Sequence, residues 1–385
     1  VQYDFDRVIP RRNTDASKWT TYGDDILPMW IADMDFQAPP PVIAALEQRA
    51  QHGIYGYPLR PASYYEAIIE WMRKRHGWDI KGEWIAHSPG VVTGLVLAVH
   101  AFTQPGDKII IQPPVYPPFS AIVQSNGRQL ALNPLRNENG YYRIDLDHLE
   151  KQMDQRTRAL MLCSPHNPVG RVWSKDELVA LGELCLRKNI LIFSDEIHSD
   201  LILRGHKHVP LAMLSPALAE ITLTFIAPSK TFNLPGLYTA AAIIPNHRLH
   251  TQFAIALENF GLNTSNTFGM VGLEAAYRYG EEWLEALLDY LQANVDYAIQ
   301  FFRQRLPHIH VVPPEGTYLL WLDCRNLGLD KAGLRNLFLK RAKVALNEGH
   351  TFGPGGEGFM RMNIGCPRAT LQEGLERIER AVNSL

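Results

Sequence analysis

The amino-acid sequence predicts an α/β fold: a large domain built on a mostly parallel sheet, with a smaller α+β domain after it. Three observations point there. Short apolar runs, often rich in β-branched residues, recur at 108–112, 129–133, 159–163, 190–194, 223–226 and 240–244. Helical patterns, such as 119–126 and 175–188, sit between several of them, and buried strands alternating with helices make a mostly parallel sheet. From Glu281 a long amphipathic pattern runs to about Arg305, after which the rhythm of strands and helices changes.

Along the chain, a polar, irregular N-terminal stretch gives way to PMWIADMDF at 28–36, an apolar run with two embedded aspartates. It stops at the prolines of APPP, which open a helical pattern, VIAALEQRA. A second helix is expected over 63–76, with Tyr64, Ile68, Trp71 and Met72 on one face. Pro89-Gly90 leads into a buried helix over 91–102. Beyond the long helix, VVPPEGTYLLWLD and FMRMNIG are expected strands, and 371–382 is a closing helix. No repeat, low-complexity tract or flexible linker interrupts this order, so one continuous helix is expected to join the two domains. The expected division is 1–45 as an N-terminal segment joining the small domain, 46–284 as the large domain and 285–385 as the small one.

The composition excludes several classes of function. The 385 residues hold 38 Lys and Arg against 40 Asp and Glu, a balance that leaves no polybasic nucleic-acid arm and no acidic tail. With 46% hydrophobic and 20% charged residues the chain is globular. No apolar stretch approaches the ~20 residues that span a bilayer, and VQYDFDRVIPRRNTD has no signal-peptide core. Four cysteines without C-x-x-C spacing make no disulfide framework, so a reducing, cytoplasmic setting is expected.

Five segments carry chemistry, four of them directly after an apolar strand. In APSKTFNLPG, Lys230 sits just past a strand end, where open α/β sheets bind ligands, and an amine there can form a Schiff base with a carbonyl. In ILIFSDEIHSD, Asp195 ends a buried strand, and such a carboxylate holds a cation or caps the next helix. SPHNPVG places the Asn167 amide in a turn, and PPVYPPF places Tyr116 on a proline-stiffened loop where its ring could stack on a planar group. SPGVVTG opens a helix whose first N–H groups suit a phosphate. His206 and His208 in RGHKH have no acidic or cysteine partner at metal spacing and are expected to be solvated loop residues. Cys163 and Cys366 are expected to be packing thiols.

Taken together, these segments and their order resemble the fold-type I pyridoxal-5′-phosphate (PLP) enzymes, the aspartate-aminotransferase-like superfamily, over essentially the whole chain. The chain is most similar to the MalY/PatB-type cystathionine β-lyases through PMWIADMDF, HGIYGYP, SPGVVTG, QPPVYPPF, CSPHNPVGR, SDEIHSDL, APSKTFNLPG and GPGGEGFMRMNIGCPR. The resemblance implies a PLP-dependent β-elimination on cystathionine or other cysteine S-conjugates, with an aminotransferase of the same fold as the alternative. It implies that Lys230 binds the cofactor covalently, Asp195 pairs with the pyridinium nitrogen, Asn167 bonds the ring oxygen and Tyr116 stacks on the ring. The amides of Val91 and Val92, with Ser229, would hold the phosphate. Arg361, helped by Asn167 and the backbone of Ala32, would grip the substrate carboxylate. Tyr57 would reach in from the second subunit of a homodimer with shared active sites.

Two positions depart from the aminotransferase pattern. His198 stands three residues after the pyridine-binding Asp, where aminotransferases favour Tyr, and Tyr238 stands eight after the Lys, where they often place Arg. His198 is therefore grouped with the cofactor contacts in the manner of the lyases, and the phosphate is left short of cations. Some members of this branch also regulate transcription factors, but no surface patch legible in this sequence supports such a protein partner.

Overall fold

The structure, a computed structural model, describes residues 3–385. Seven strands form the main sheet: β1 (Ile85–Ser88), β2 (Lys108–Ile111), β3 (Gln129–Leu132), β4 (Thr157–Cys163), β5 (Leu191–Asp195), β6 (Thr222–Ile226) and β7 (Ala240–Ile243). Their order is β1-β7-β6-β5-β4-β2-β3. The pairs from β6 to β3 are parallel, and β7 runs antiparallel to both neighbours. The mostly parallel sheet expected from the sequence is therefore present, with one reversed strand. The central strands are buried along nearly their whole length, which is why they read as continuous apolar runs rather than alternating ones.

Helices cover the sheet. Val91–Phe102 lies against β6 so closely that a Cβ on Gly94 would meet the Phe225 ring at 2.8 Å. That close approach brings the start of the helix to the strand ends. Lys175–Arg187 begins with a capping box, Ser174 accepting from the Glu177 N–H and Glu177 from the Ser174 N–H, worth about 1 kcal/mol. The 25-residue helix Glu281–Arg305, roughly 37 Å long, has glutamates in its first turn and arginines in its last, matching its dipole. A second sheet follows it: β8 (His310–Val312), β9 (Leu319–Asp323), β10 (Asn347–Glu348) and β11 (Phe359–Asn363), in the order β8-β9-β11-β10, all antiparallel. The closing helix is Arg368–Val382.

The segment PMWIADMDF is mostly irregular, and its first residue, Pro28, with Leu27 before it, pairs with Val344–Ala345 beside the second sheet. Side chains from three places hold it. Asn363 donates to the carbonyls of Ile31 and Asp33, both at 2.6 Å. Asn233 bonds Met34 through its N–H and carbonyl and also bonds the Phe36 carbonyl. Its two aspartates are neutralised by Arg11 and the buried Lys18. The strap therefore lies fixed between the two sheets, over the carboxyl ends of β4 to β6.

Candidate active site

The carboxyl ends of the parallel strands and the strap enclose a cavity of about 400 Å³. Lys230, Asp195, Asn167, Tyr116, His198, Val91, Val92, Ser229, Arg361 and Ala32, all anticipated from the sequence, line it. Tyr57 does not. It is fully exposed on the segment that follows the helix Pro40–Gln51, with Ile54, Tyr55 and Leu59 exposed beside it.

Strand register places the polar groups. Cys163 and Asp195 are paired at the ends of β4 and β5, so the Asn167 turn and the Asp195 carboxyl lie side by side. Asp195 is buried, and among the described residues its side chain accepts only the Ile197 N–H, at 3.1 Å. Burial pushes its pKa up to about 7, only partly opposed by that hydrogen bond and by Lys230. A carboxyl in this state is a site for a cation. Lys230, in the single turn Pro228–Thr231 after β6, donates to the Ala32 carbonyl at 2.6 Å. Burial lowers its pKa to about 8, so far more of it is the nucleophilic neutral amine near neutral pH than for an ordinary lysine.

Arg361 lies on β11 at the far wall. One guanidinium nitrogen donates to Asn167 at 2.9 Å, and the other to Asn347 at 2.6 Å and the Trp30 carbonyl at 3.0 Å. Its Nε is buried without a partner, and burial lowers its pKa to about 10. Among the described residues no carboxylate pairs with it, so its charge is available to an anion. His198 is buried edge-on to Tyr318, its Nδ1 unpartnered and its pKa pushed down to about 3 by burial, so it is a neutral imidazole. At the opposite end no side chain caps the helix starting at Val91, and Ser229 stands nearby on the cavity wall. An uncapped helix start there offers N–H groups to a phosphate.

Some contributors were not anticipated. Asn347 orients Arg361 from a two-residue strand too short to show a period. Tyr318 donates to the same Ala32 carbonyl as Lys230, at 2.9 Å. Asn363, two residues after Arg361, holds the strap, and the period of two along a strand was the available signal. One expectation is corrected: His206 is exposed, but His208 is buried and bonds Glu196 at 2.9 Å. Its partner lies twelve residues back, at the end of β5, beyond any local spacing rule. Cys163 lines the cavity, and all four cysteines are buried and free.

The arrangement defines a class: an α/β fold whose cavity gathers a lysine amine, a buried carboxyl, an uncapped helix start and a buried arginine, a set of groups that suits a planar anionic molecule and a carboxylate. The family model for class I and II aminotransferases matches residues 25–378, and the chain belongs to that family. Within it, the chain is 46% identical to cystathionine β-lyase PatB of Bacillus subtilis, over 98% of this chain and all of that one. Among solved structures it resembles PLP-containing cystalysin from Treponema denticola, with a TM-score of 0.97 and 36% identity over the whole of both chains. It also resembles the PLP-bound C–S lyase from Staphylococcus hominis, with a TM-score of 0.94 and 34% identity over 99% of this chain and 98% of that one.

Proposed function

We propose that this protein is a PLP-dependent carbon–sulfur β-lyase that cleaves cystathionine or related cysteine S-conjugates to a thiol, pyruvate and ammonia. The observation that carries the cofactor is the unpaired buried carboxyl of Asp195 facing the same cavity as the amine of Lys230. Full-length similarity to lyases selects the reaction.

The residues fit PLP at each end. Asp195 would hold a proton on the pyridine nitrogen, a cation for a carboxyl that has none. Asn167 would bond the ring oxygen, and Tyr116 would pack on the ring. The N–H groups at Val91 and Val92, with Ser229, would hold the phosphate. Lys230 would anchor the cofactor covalently. Bound PLP supplies an electron sink for a bond broken at the substrate Cα.

The chain's own residues do the rest. Arg361, held square by Asn347, Asn167 and the Trp30 carbonyl, grips the substrate carboxylate as a fork. The Ala32 N–H would add a backbone donor, its carbonyl being taken by Lys230 and Tyr318. The Lys230 amine, freed once the amino acid is bound, would take the Cα proton. The sulfur then leaves from Cβ as a thiolate and is protonated. The released enamine of pyruvate takes up one water and yields pyruvate and ammonia. Neutral His198 packs the cavity without adding charge beside Asp195. Holoenzyme incubated with cystathionine should release homocysteine, read with a chromogenic disulfide. Absence of thiol release, with PLP bound, overturns the lyase reading.

We also infer that the working form is a homodimer. The exposed run Ile54, Tyr55, Tyr57 and Leu59 supports a partner on that face, and Tyr57 would enter the partner's cavity. Mixing Tyr57→Ala with Lys230→Ala subunits should recover roughly a quarter of wild-type activity, because half the dimers are hybrids with one complete site each. No recovery despite demonstrated exchange places Tyr57 outside the site. The division at 46–284 and 285–385 remains our reading of the domains. No helix among the described residues is long and apolar enough to cross a membrane. Four free, buried cysteines support the cytoplasm as its compartment.

A further inference from the structure

Behind the cavity lies a second cluster of buried charged groups that the chemistry above does not use. Three carboxylates lie within the segment Asp195 to Asp200, and all are buried. Asp195, Ile197 and His198 line the cavity, whereas the other two acids are tied to histidines away from it. Glu196 bonds His208 at 2.9 Å, and Asp200 bonds His76 at 2.9 Å. The two imidazoles meet edge to face at 5.6 Å.

Asp200 does more than bond a histidine. Its carboxylate also accepts the Trp71 indole N–H at 3.2 and 3.3 Å and the Thr231 hydroxyl at 2.8 Å. Burial alone would raise its pKa, but the hydrogen bond and charge of His76, with Arg75 and Thr231, bring it below the ordinary value. It is an anion, held by donors from the 62–76 helical region on one side and by Thr231 on the other. Thr231 is the residue after Lys230 and is itself fully buried.

The turn Pro228–Thr231 is one turn long and has no side-chain cap. A helix of that length does not hold itself, and its position comes from tertiary anchors. Asn233 fastens the chain just beyond it to the strap. The Thr231 hydroxyl fastens its last residue from behind. We propose that Asp200 is a positioning residue for Lys230: its buried carboxylate, gripped by Trp71 and His76, holds Thr231 and so fixes the turn that presents the amine. One loop would thereby set both the carboxyl that faces the cofactor ring and the anchor of the lysine.

This inference rests on the assignment of Lys230, which borohydride fixation of the wild-type holoenzyme checks separately. Asp200→Asn is the direct variant, but it turns one carboxylate oxygen into a donor among donors and so threatens the fold. Thr231→Val keeps the shape and removes only the hydroxyl, and Thr231→Ser keeps the hydroxyl and removes the methyl. Two quantities are read: kcat with its KM, and the rate at which apoenzyme regains visible absorbance on adding PLP. The second is measured before any substrate is present, so it does not depend on which reaction follows. Thr231→Val should lower kcat and slow recombination, each by about ten-fold or more, with KM unchanged. Thr231→Ser should stay near wild type in both. Wild-type kcat and recombination in Thr231→Val, whatever its melting temperature, overturn the proposal. So does a Thr231→Ser protein as impaired as Thr231→Val, which would assign the effect to the methyl.

Discussion

Lys230→Ala should lose turnover by about 10⁴-fold or more, because the covalent anchor and the base that takes the Cα proton disappear together. The protein should still fold, since the side chain makes one hydrogen bond, to Ala32, at the cavity wall. Borohydride should fix the cofactor on the Lys230 peptide of the wild type and on no peptide of the variant. Label on Lys207 or Lys343 instead would refute the assignment. The lowered pKa adds a pH signature. Only the neutral amine attacks a carbonyl, so apoenzyme should take up PLP with a rate that rises through a midpoint near 8, the value to which burial lowers Lys230. A midpoint at the ordinary lysine value would mean that the amine is solvated.

Asp195→Asn should cut kcat by about a hundred- to a thousand-fold, since a neutral amide does not stabilise a protonated pyridine nitrogen. Its effect on stability should run the other way in the absence of cofactor. Burial raises the Asp195 pKa in the folded apoprotein to about 7, above its unfolded value. The folded state thus favours the protonated acid, and the associated stability is present below the unfolded pKa and is lost as pH rises through about 7. At pH 8 the wild-type apoprotein carries a buried unpaired anion, a destabilisation on the order of a few kcal/mol. Asp195→Asn removes it while keeping an acceptor for the Ile197 N–H. The variant apoprotein should therefore melt above the wild-type apoprotein at pH 8, and added PLP should raise its melting temperature less. Equal melting of the two apoproteins at pH 8, with full activity retained, would show that Asp195 faces no charge.

What was legible in the sequence was what local chemistry determines. The helix over 91–102 has the expected bounds, because its apolar residues are continuous and Pro89-Gly90 marks its start. The strand at 240–244 was visible, but its antiparallel direction was not, since a fully buried run has no polarity. β1 was missed because Ile-Ala-His-Ser has only one β-branched apolar residue, although all four residues are buried. The helices His247–Asn259 and Thr267–Tyr279 were not anticipated either, and each is started by an asparagine cap. The site followed the same division. Lys230, Asp195, Asn167 and Tyr116 were found from strand-end placement, and Arg361 from the family resemblance. Their supports, Asn347, Tyr318 and Asp200, come together only when chain segments distant in sequence meet.

The central claim is elimination at Cβ, and the amount of pyruvate formed per site from cystathionine, with no keto acid present, tests it most directly. Elimination needs no second substrate, whereas amino transfer stops once the cofactor holds the amino group. Pyruvate, read with a coupled dehydrogenase, should accumulate over many turnovers in equal amount with homocysteine and ammonia, and alanine, which has no leaving group, should give none. Product that stops at one equivalent per site, and resumes only when a keto acid is added, would contradict the lyase and identify an aminotransferase.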